Sequence, residues 1–253
     1  MTQNDEKNLI QEAGMYDLLA GYYKYTNPNL HIFYYQKHLQ SLKEAIETTQ
    51  SPFPNVQRQK EYGKIRMLHG SSKTPKVDIY INGIRMFKEM TFKMMSNDLT
   101  LPVCRYQVDI YEAGKMIDTY CSQKMVVESN IYHTIAFVGS TEKLKIYSFS
   151  ENPNVPATET KLRFIHLASN LPTINIAVQN GDIVFSAVQA KTASPYLGLH
   201  PMTVYLEART ADTNELITTF PSLALQGNKA YSAFILEQDS EKSPVEVLLV
   251  PAT

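Results

Sequence analysis

Two histidines stand where chemistry is easiest to imagine. His69 and His166 each end an apolar run and precede a loop of small residues closed by proline, Ser71 to Pro75 in one case and Ala168 to Pro172 in the other. Each loop leads to a second apolar run that carries Asp78 in the first case and Asn175 in the second. His69, Ser71 and Asp78 could be drawn as an acid–base–nucleophile set, with one ligand site per loop as a milder alternative. The other reading is that each His closes a strand and bonds its own loop backbone, as turn residues do. Asn175 in place of Asp78 favours that reading, because an amide cannot replace an obligatory carboxylate. There is no G-x-S-x-G elbow to expose a nucleophile, no G-x-G-x-x-G or P-loop for phosphate, and no Cys/His spacing for zinc. No catalytic residue, cofactor or metal is expected.

The two cysteines, Cys104 and Cys121, flank an expected hairpin turn at Glu112–Lys115, so they are candidates for neighbours on adjacent strands, with two buried free thiols as the favoured alternative to a disulfide. Charged residues make up 19% of the chain and the net charge is −1, without a basic stripe or polybasic cluster. That excludes a typical nucleic-acid binder and gives no handle for an anionic membrane. The N-terminal stretch is polar and acidic, and no run approaches the ~18 apolar residues of a membrane span. Synthesis in the cytoplasm without a signal peptide is therefore expected, with later deposition on a cell or spore surface left open.

These residues are carried by a duplicated element. The segment Lys64–Phe87 aligns with Lys161–Phe185 through Lys64/Lys161, Arg66/Arg163, His69/His166, Ser72/Ser169, Pro75/Pro172, Gly83/Gly181 and Phe87/Phe185. Further on, Ser96 and Leu99 match Ser194 and Leu197, and Tyr132 is matched with Tyr231. Within each copy, short alternating runs rich in β-branched and aromatic residues are separated by Asn-Gly and Ala-Gly turn signals. The pattern predicts a mainly β protein with two tandem antiparallel β-sandwich modules of immunoglobulin- or transthyretin-like type, at residues 63–151 and 160–253.

Residues 1–60 differ in kind. Met15, Leu18, Leu19, Tyr22 and Tyr23 fall on one helical stripe, and Asn27-Pro28 opens a second helix carrying Tyr35, Leu39, Leu42 and Ile46. That helix should end near Thr49, before the linker Ser51–Pro54. An α-helical hairpin followed by a linker is predicted. Tyrosine is abundant, with 16 copies, and Tyr22, Tyr23, Tyr34 and Tyr35 could be a partner-binding surface or could pack the helices together.

The doubled pattern resembles the tandem modules of the domain-of-unknown-function family 4397. Its residues here are Arg66, His69, Ser71, Pro75, Val77, Asp78, Gly83 and Phe87, then Leu101-Pro102 and Tyr106. The second copy supplies Arg163, His166, Ala168, Pro172, Ile174, Asn175 and Phe185, then Ser194–Leu197. The helical preface lies outside the family pattern, as does Asn175. The resemblance implies a bacterial, non-catalytic structural or interaction protein of the cell envelope or spore surface. Its β modules would bind a protein or surface polymer, and the N-terminal helices could form a homo-oligomer. A carbohydrate- or small-ligand-binding module using the His69 and His166 loops is the second expectation, and a hydrolase the third.

Overall fold

In the computed structural model the described residues are 3–49, 61–238 and 244–252, with side chains described from residue 8 to 45 in the helical part. The chain divides into two compact units, residues 1–59 and 60–253. The Ser51–Pro54 linker and the side chain of Ile46 lie outside the described residues.

The first unit is a helical hairpin of α1 (Gln3–Tyr23) and α2 (Pro28–Thr49). The Asn27 side chain accepts a hydrogen bond from the Leu30 N–H at 3.3 Å, which caps α2 while Pro28 fills its first position. The seam between the helices is built from small residues, Ala13, Ala20, Ser41 and Ala45, all buried. Two histidine rings of α2 lie across it, His31 Nδ1 at 2.9 Å from the Ala20 carbonyl and His38 Nδ1 at 2.9 Å from that of Ala13. Of the expected apolar stripe, only Tyr23 is shown meeting the second helix, stacked on Tyr34. Met15, Leu18 and Tyr22 are exposed, because alanines let the helices approach more closely than large side chains would.

The second unit is all β. Its first module runs β1 (Tyr62–His69), β2 (Val77–Ile81), β3 (Ile84–Met90), β4 (Leu99–Pro102), β5 (Cys104–Glu112), β6 (Thr119–Val127), β7 (Tyr132–Val138) and β8 (Lys145–Glu151). The second runs β9 (Thr160–His166), β10 (Ile174–Val178), β11 (Ile183–Val188), β12 (Thr192–Ala193), β13 (Leu197–Leu199), β14 (Met202–Val204), β15 (Leu206–Thr210), β16 (Leu216–Thr219), β17 (Leu223–Leu225), β18 (Lys229–Glu237) and β19 (Val245–Pro251). Each module pairs an outer sheet, β3-β2-β5-β6 or β11-β10-β15-β16, with an inner one, β4-β1-β7-β8 or β12-β9-β18-β19. Most pairs are antiparallel, but β1–β7 and β9–β18 are parallel, because the chain visits the outer sheet before returning to the inner one.

Three cores stack in sequence through this unit. Ile65, Met67, Ile135 and Phe137 of one inner sheet face Val77, Ile79, Val108 and Ile110 of its outer sheet. Leu162, Phe164, Ala233 and Ile235 face Ile174, Ile176, Leu206 and Ala208 in the same way. Between them, the two inner sheets pack back to back through Leu68, Ala136, Val138, Ile165, Phe234 and Leu236. The inner strands β7 and β18 are thus buried on both faces and read as nearly continuous apolar runs, whereas the outer strand β6 alternates. Burying one such side chain as large as Phe137 or Phe234 contributes roughly 1.5–3 kcal/mol.

The duplication extends to backbone strain. Asn82, Glu89, Lys93 and Asn130 have left-handed φ values of 49° to 67°, and Asn180, Ala187, Lys191 and Asn228, one constant spacing later, have 54°, 51°, 67° and 61°. One sequence match shifts. β1 pairs Lys64 with Tyr132, whereas β9 pairs its equivalent Lys161 with Ala230 and places Tyr231 opposite Leu162. Tyr132 and Tyr231 therefore face opposite sides of their sheets, as a one-residue slip requires.

Candidate functional site

His69 and His166 are fully buried, at 0% exposure each. His69 Nε2 lies 3.2 Å from the Pro75 carbonyl and His166 Nε2 lies 3.0 Å from that of Pro172. Each ring bridges from the end of its strand to the far side of its loop, donating from Nε2 to a carbonyl. Burial pushes both imidazoles below their ordinary pKa, and the carbonyl bonds only partly offset it, so both are neutral at pH 7. The His69 ring also packs 4.6 Å from that of Phe137.

Ser71 does not face His69 with its hydroxyl. Its Oγ donates to the Gly139 carbonyl at 2.5 Å, and its backbone N–H reaches His69 Nδ1 at 3.4 Å. Asp78 lies on a different set of partners. It accepts from the Glu89 N–H at 2.8 Å, from the Gly114 N–H at 3.2 Å and from Arg85 at 3.3 Å. Burial would raise its pKa, but those donors outweigh it and hold the carboxyl below the usual range. In the second module Asn175 Oδ1 accepts from the Ala187 N–H at 2.9 Å. Glu89 and Ala187 are the equivalent strained residues in the bulges of β3 and β11. An acceptor oxygen is all this position requires, which is why Asp and Asn both serve. His69, Ser71 and Asp78 are thus near one another in sequence, and each bonds backbone rather than forming a relay.

The cysteines lie on paired strands at distant rungs, Cys104 opposite Val127 and Cys121 opposite Ile110. Both are free thiols, but only Cys121 is buried as expected; Cys104 is exposed at the start of β5, and register keeps the two apart. Tyr34 stacks between Tyr16 and Tyr23, with centroids at 6.3 and 5.7 Å, while Tyr22 is 72% exposed and Tyr35 lies beside His31 and His38.

The densest polar cluster is one that the sequence pattern did not single out. Glu151, buried at the end of β8, accepts from Thr134 at 2.7 Å, Tyr196 at 2.9 Å and Ser232 at 3.1 Å. It also pairs with Arg163 at 2.9 Å and Arg66 at 3.5 Å. Arg66 donates to Thr134 beside it and, across the module junction, to the Pro251 carbonyl, both at 2.9 Å. Arg163 mirrors this, donating to Ser232 and to the Ser150 carbonyl of the first module, both at 2.9 Å. Each module thus inserts an arginine into the other, and one carboxylate serves both. The repeated Arg66/Arg163 pair, set in otherwise apolar strands, was the available signal. Among the described residues, no group of three or more His, Cys, Asp or Glu side chains is arranged to hold a metal ion.

Residues 63–177 match the family model of the domain of unknown function DUF4397. Over those residues the chain is similar to that family. The match runs from the second residue of β1 through the first module to β9 and all but the last residue of β10. No curated protein matches the chain. Among solved structures, the Bacillus anthracis TIE protein is similar over 74% of this chain and 34% of its own, at 14% identity and a TM-score of 0.23. The chain therefore spans about a third of that protein's length. A candidate cell adhesion protein from Bacteroides ovatus ATCC 8483 is similar over 76% of this chain and 96% of its own, at 10% identity and a TM-score of 0.21. Among the described residues, no helix is long and apolar enough to cross a membrane.

Proposed function

We propose that this is a non-catalytic interaction protein in which the β unit is a rigid displayed body and the helical hairpin joins two copies of the chain. The observation that carries the reading is the set of large apolar side chains exposed on the two helices, Ile10, Leu18, Tyr22, Ile32, Tyr35 and Leu39. A two-helix hairpin has a single seam, and here that seam is filled by Ala13, Ala20, Ser41 and Ala45 together with the stacked rings of Tyr16, Tyr23 and Tyr34 and the imidazoles of His31 and His38. Large apolar side chains left outside such a seam are the raw material of a second interface. Two hairpins packed together bury them as a four-helix bundle, the smallest arrangement that gives each helix two apolar neighbours.

The β unit supports the non-catalytic half of the reading. Its repeated polar residues bond backbone or hold one module to the other, and none of the sequence candidates presents a free acid, base or nucleophile to a cleft. A protein or surface-polymer partner for the displayed β modules, and a cell-envelope or spore-surface setting, belong to the same proposal. Fractionation of the host with an antibody to the chain tests the setting.

Light scattering of the full chain tests the assembly. Wild type should have twice the chain mass at ~50 µM, within the micromolar range of ordinary protein association. The Leu18→Glu/Leu39→Glu variant should have the single-chain mass with an unchanged β circular-dichroism signal. Wild type running as a monomer, or the double variant remaining dimeric, overturns the proposal.

A further inference from the structure

The two modules share one frame, so each position of one has a counterpart that acts as an internal control for the other. Register assigns the counterparts: Ile79 opposes Ile110 and Ile81 opposes Val108 in the first module, as Ile176 opposes Ala208 and Val178 opposes Leu206 in the second. By the same count Tyr106 corresponds to Val204, Met86 to Val184 and Ile81 to Val178. In the first module, Ile81 is core and Tyr106 and Met86 pack against that core, with the Tyr106 hydroxyl tied to the Pro102 carbonyl at 2.9 Å. In the second, three smaller side chains occupy these places, and the volume they release is open. A cavity of about 300 Å³ lies there, lined by Leu162, Phe185, Leu197, Leu199 and Leu206 besides the three valines, with Met202, Thr203 and Tyr205 completing its wall.

A sequence change explains how the site stays open. In the first module, β5 and β6 pair in one unbroken register from Cys104–Val127 to Ile110–Cys121 and shift only beyond it, at Tyr111–Thr119. In the second, Val204 opposes Leu223 and Glu207 opposes Thr219, so one extra residue sits on the second strand. That stretch is Phe220-Pro221-Ser222, and proline cannot donate to a ladder. The Phe220 ring turns into the core, stacked at 5.8 Å on Phe164, and the ladder splits into β15–β16 and β14–β17 with Tyr205 at the break. The floor of the cavity is then buried Leu162, Leu206 and Phe185, while Val178, Val184, Met202 and Tyr205 at its rim are exposed.

We propose that this cleft in the second module binds the unbranched alkyl chain of a small amphiphile, such as a medium-length fatty acid. The lining is aliphatic almost throughout, without a charged side chain, and its hydroxyls are those of Thr203 and Tyr205 alone. An apolar cavity of about 150 Å³ already takes up benzene, so twice that volume accommodates a longer chain. The polar head remains in solvent.

Titration of the ¹³C-methyl-labelled full chain with decanoate, followed by NMR, tests the proposal. Saturable shifts confined to methyls of Leu162, Val178, Val184, Leu197, Leu199 and Val204 are expected. Val204→Tyr and the milder Val184→Met, which restore first-module residues, should each weaken binding by about tenfold or more while the first-module methyls stay unchanged. Shifts spread over the surface, no saturable shift in wild type up to ~1 mM, or variants that titrate like wild type overturn it. Restricting the readout to wild-type shifts keeps the test decisive if either filled variant folds poorly.

Discussion

Removing the Glu151 carboxylate should unfold the junction between the two modules before anything else. The side chain is fully buried, accepts three hydroxyl donors and neutralises two buried guanidiniums that come from different modules. Glu151→Ala leaves Arg66 and Arg163 facing each other without an anion. Breaking a buried ion pair by removing one partner costs about 3–5 kcal/mol. Against a domain stability of about 5–15 kcal/mol that is a large share. With a urea slope of about 2–3 kcal/mol per molar, the midpoint should fall by roughly 1–2 M. The chain has no tryptophan, so tyrosine fluorescence and far-ultraviolet circular dichroism are the natural probes. Glu151→Gln keeps the shape but turns an amide donor towards a guanidinium, so it should recover less than half of the loss. The triple variant Glu151→Leu/Arg66→Met/Arg163→Met removes all three charges together and should be closer to wild type than Glu151→Ala. A loss below ~1 kcal/mol for Glu151→Ala would refute the reasoning, since that is the value of an exposed pair.

Exchanging the acceptors at the bulges should be asymmetric. Asp78→Asn keeps the Glu89 contact but weakens those to Gly114 and Arg85, for a loss of about 1–2 kcal/mol. Asn175→Asp buries a charge with one backbone donor and should cost at least as much, about 1–3 kcal/mol, both read as thermal midpoints. Stability should also fall in mild acid. His69, His166 and His133 all have lowered pKa values through burial, so the folded state resists protonation that the unfolded chain accepts. Their contribution is complete above about pH 6.5 and is lost as pH falls from there through the folded pKa values. Urea midpoints at pH 7.5 and 5.5 measure it, and His69→Gln/His166→Gln, whose amides can still donate to Pro75 and Pro172, should flatten the dependence.

Much of the fold is legible in residue pattern, and the reasons for the rest are physical. The duplication, the Asn-Gly turns and the helical hairpin follow from local signals, because turn chemistry and capping act within a few residues. The stacking of the modules does not, since Arg66 and the Pro251 carbonyl are joined only by tertiary packing. Its traces are the repeated Arg66/Arg163 pair and the lack of alternation in Tyr132–Val138 and Ala230–Leu236, which is what burial on two faces produces. The helical stripe misleads for the opposite reason. Periodicity finds an apolar face but does not say whether that face meets the neighbouring helix or another molecule, and Ala13 and Ala20 take the seam. The cavity is written in the sequence as Val204 and Pro221, visible only once register aligns the modules strand by strand.

Amide hydrogen exchange of the intact chain across a concentration series tests self-association through the helices most directly. A lone hairpin with an exposed apolar face is marginal, whereas a four-helix bundle is not. Protection of α1 and α2 should rise with protein concentration from ~1 to ~100 µM while β7 and β18 stay equally protected throughout. Helix protection that does not depend on concentration would contradict the account.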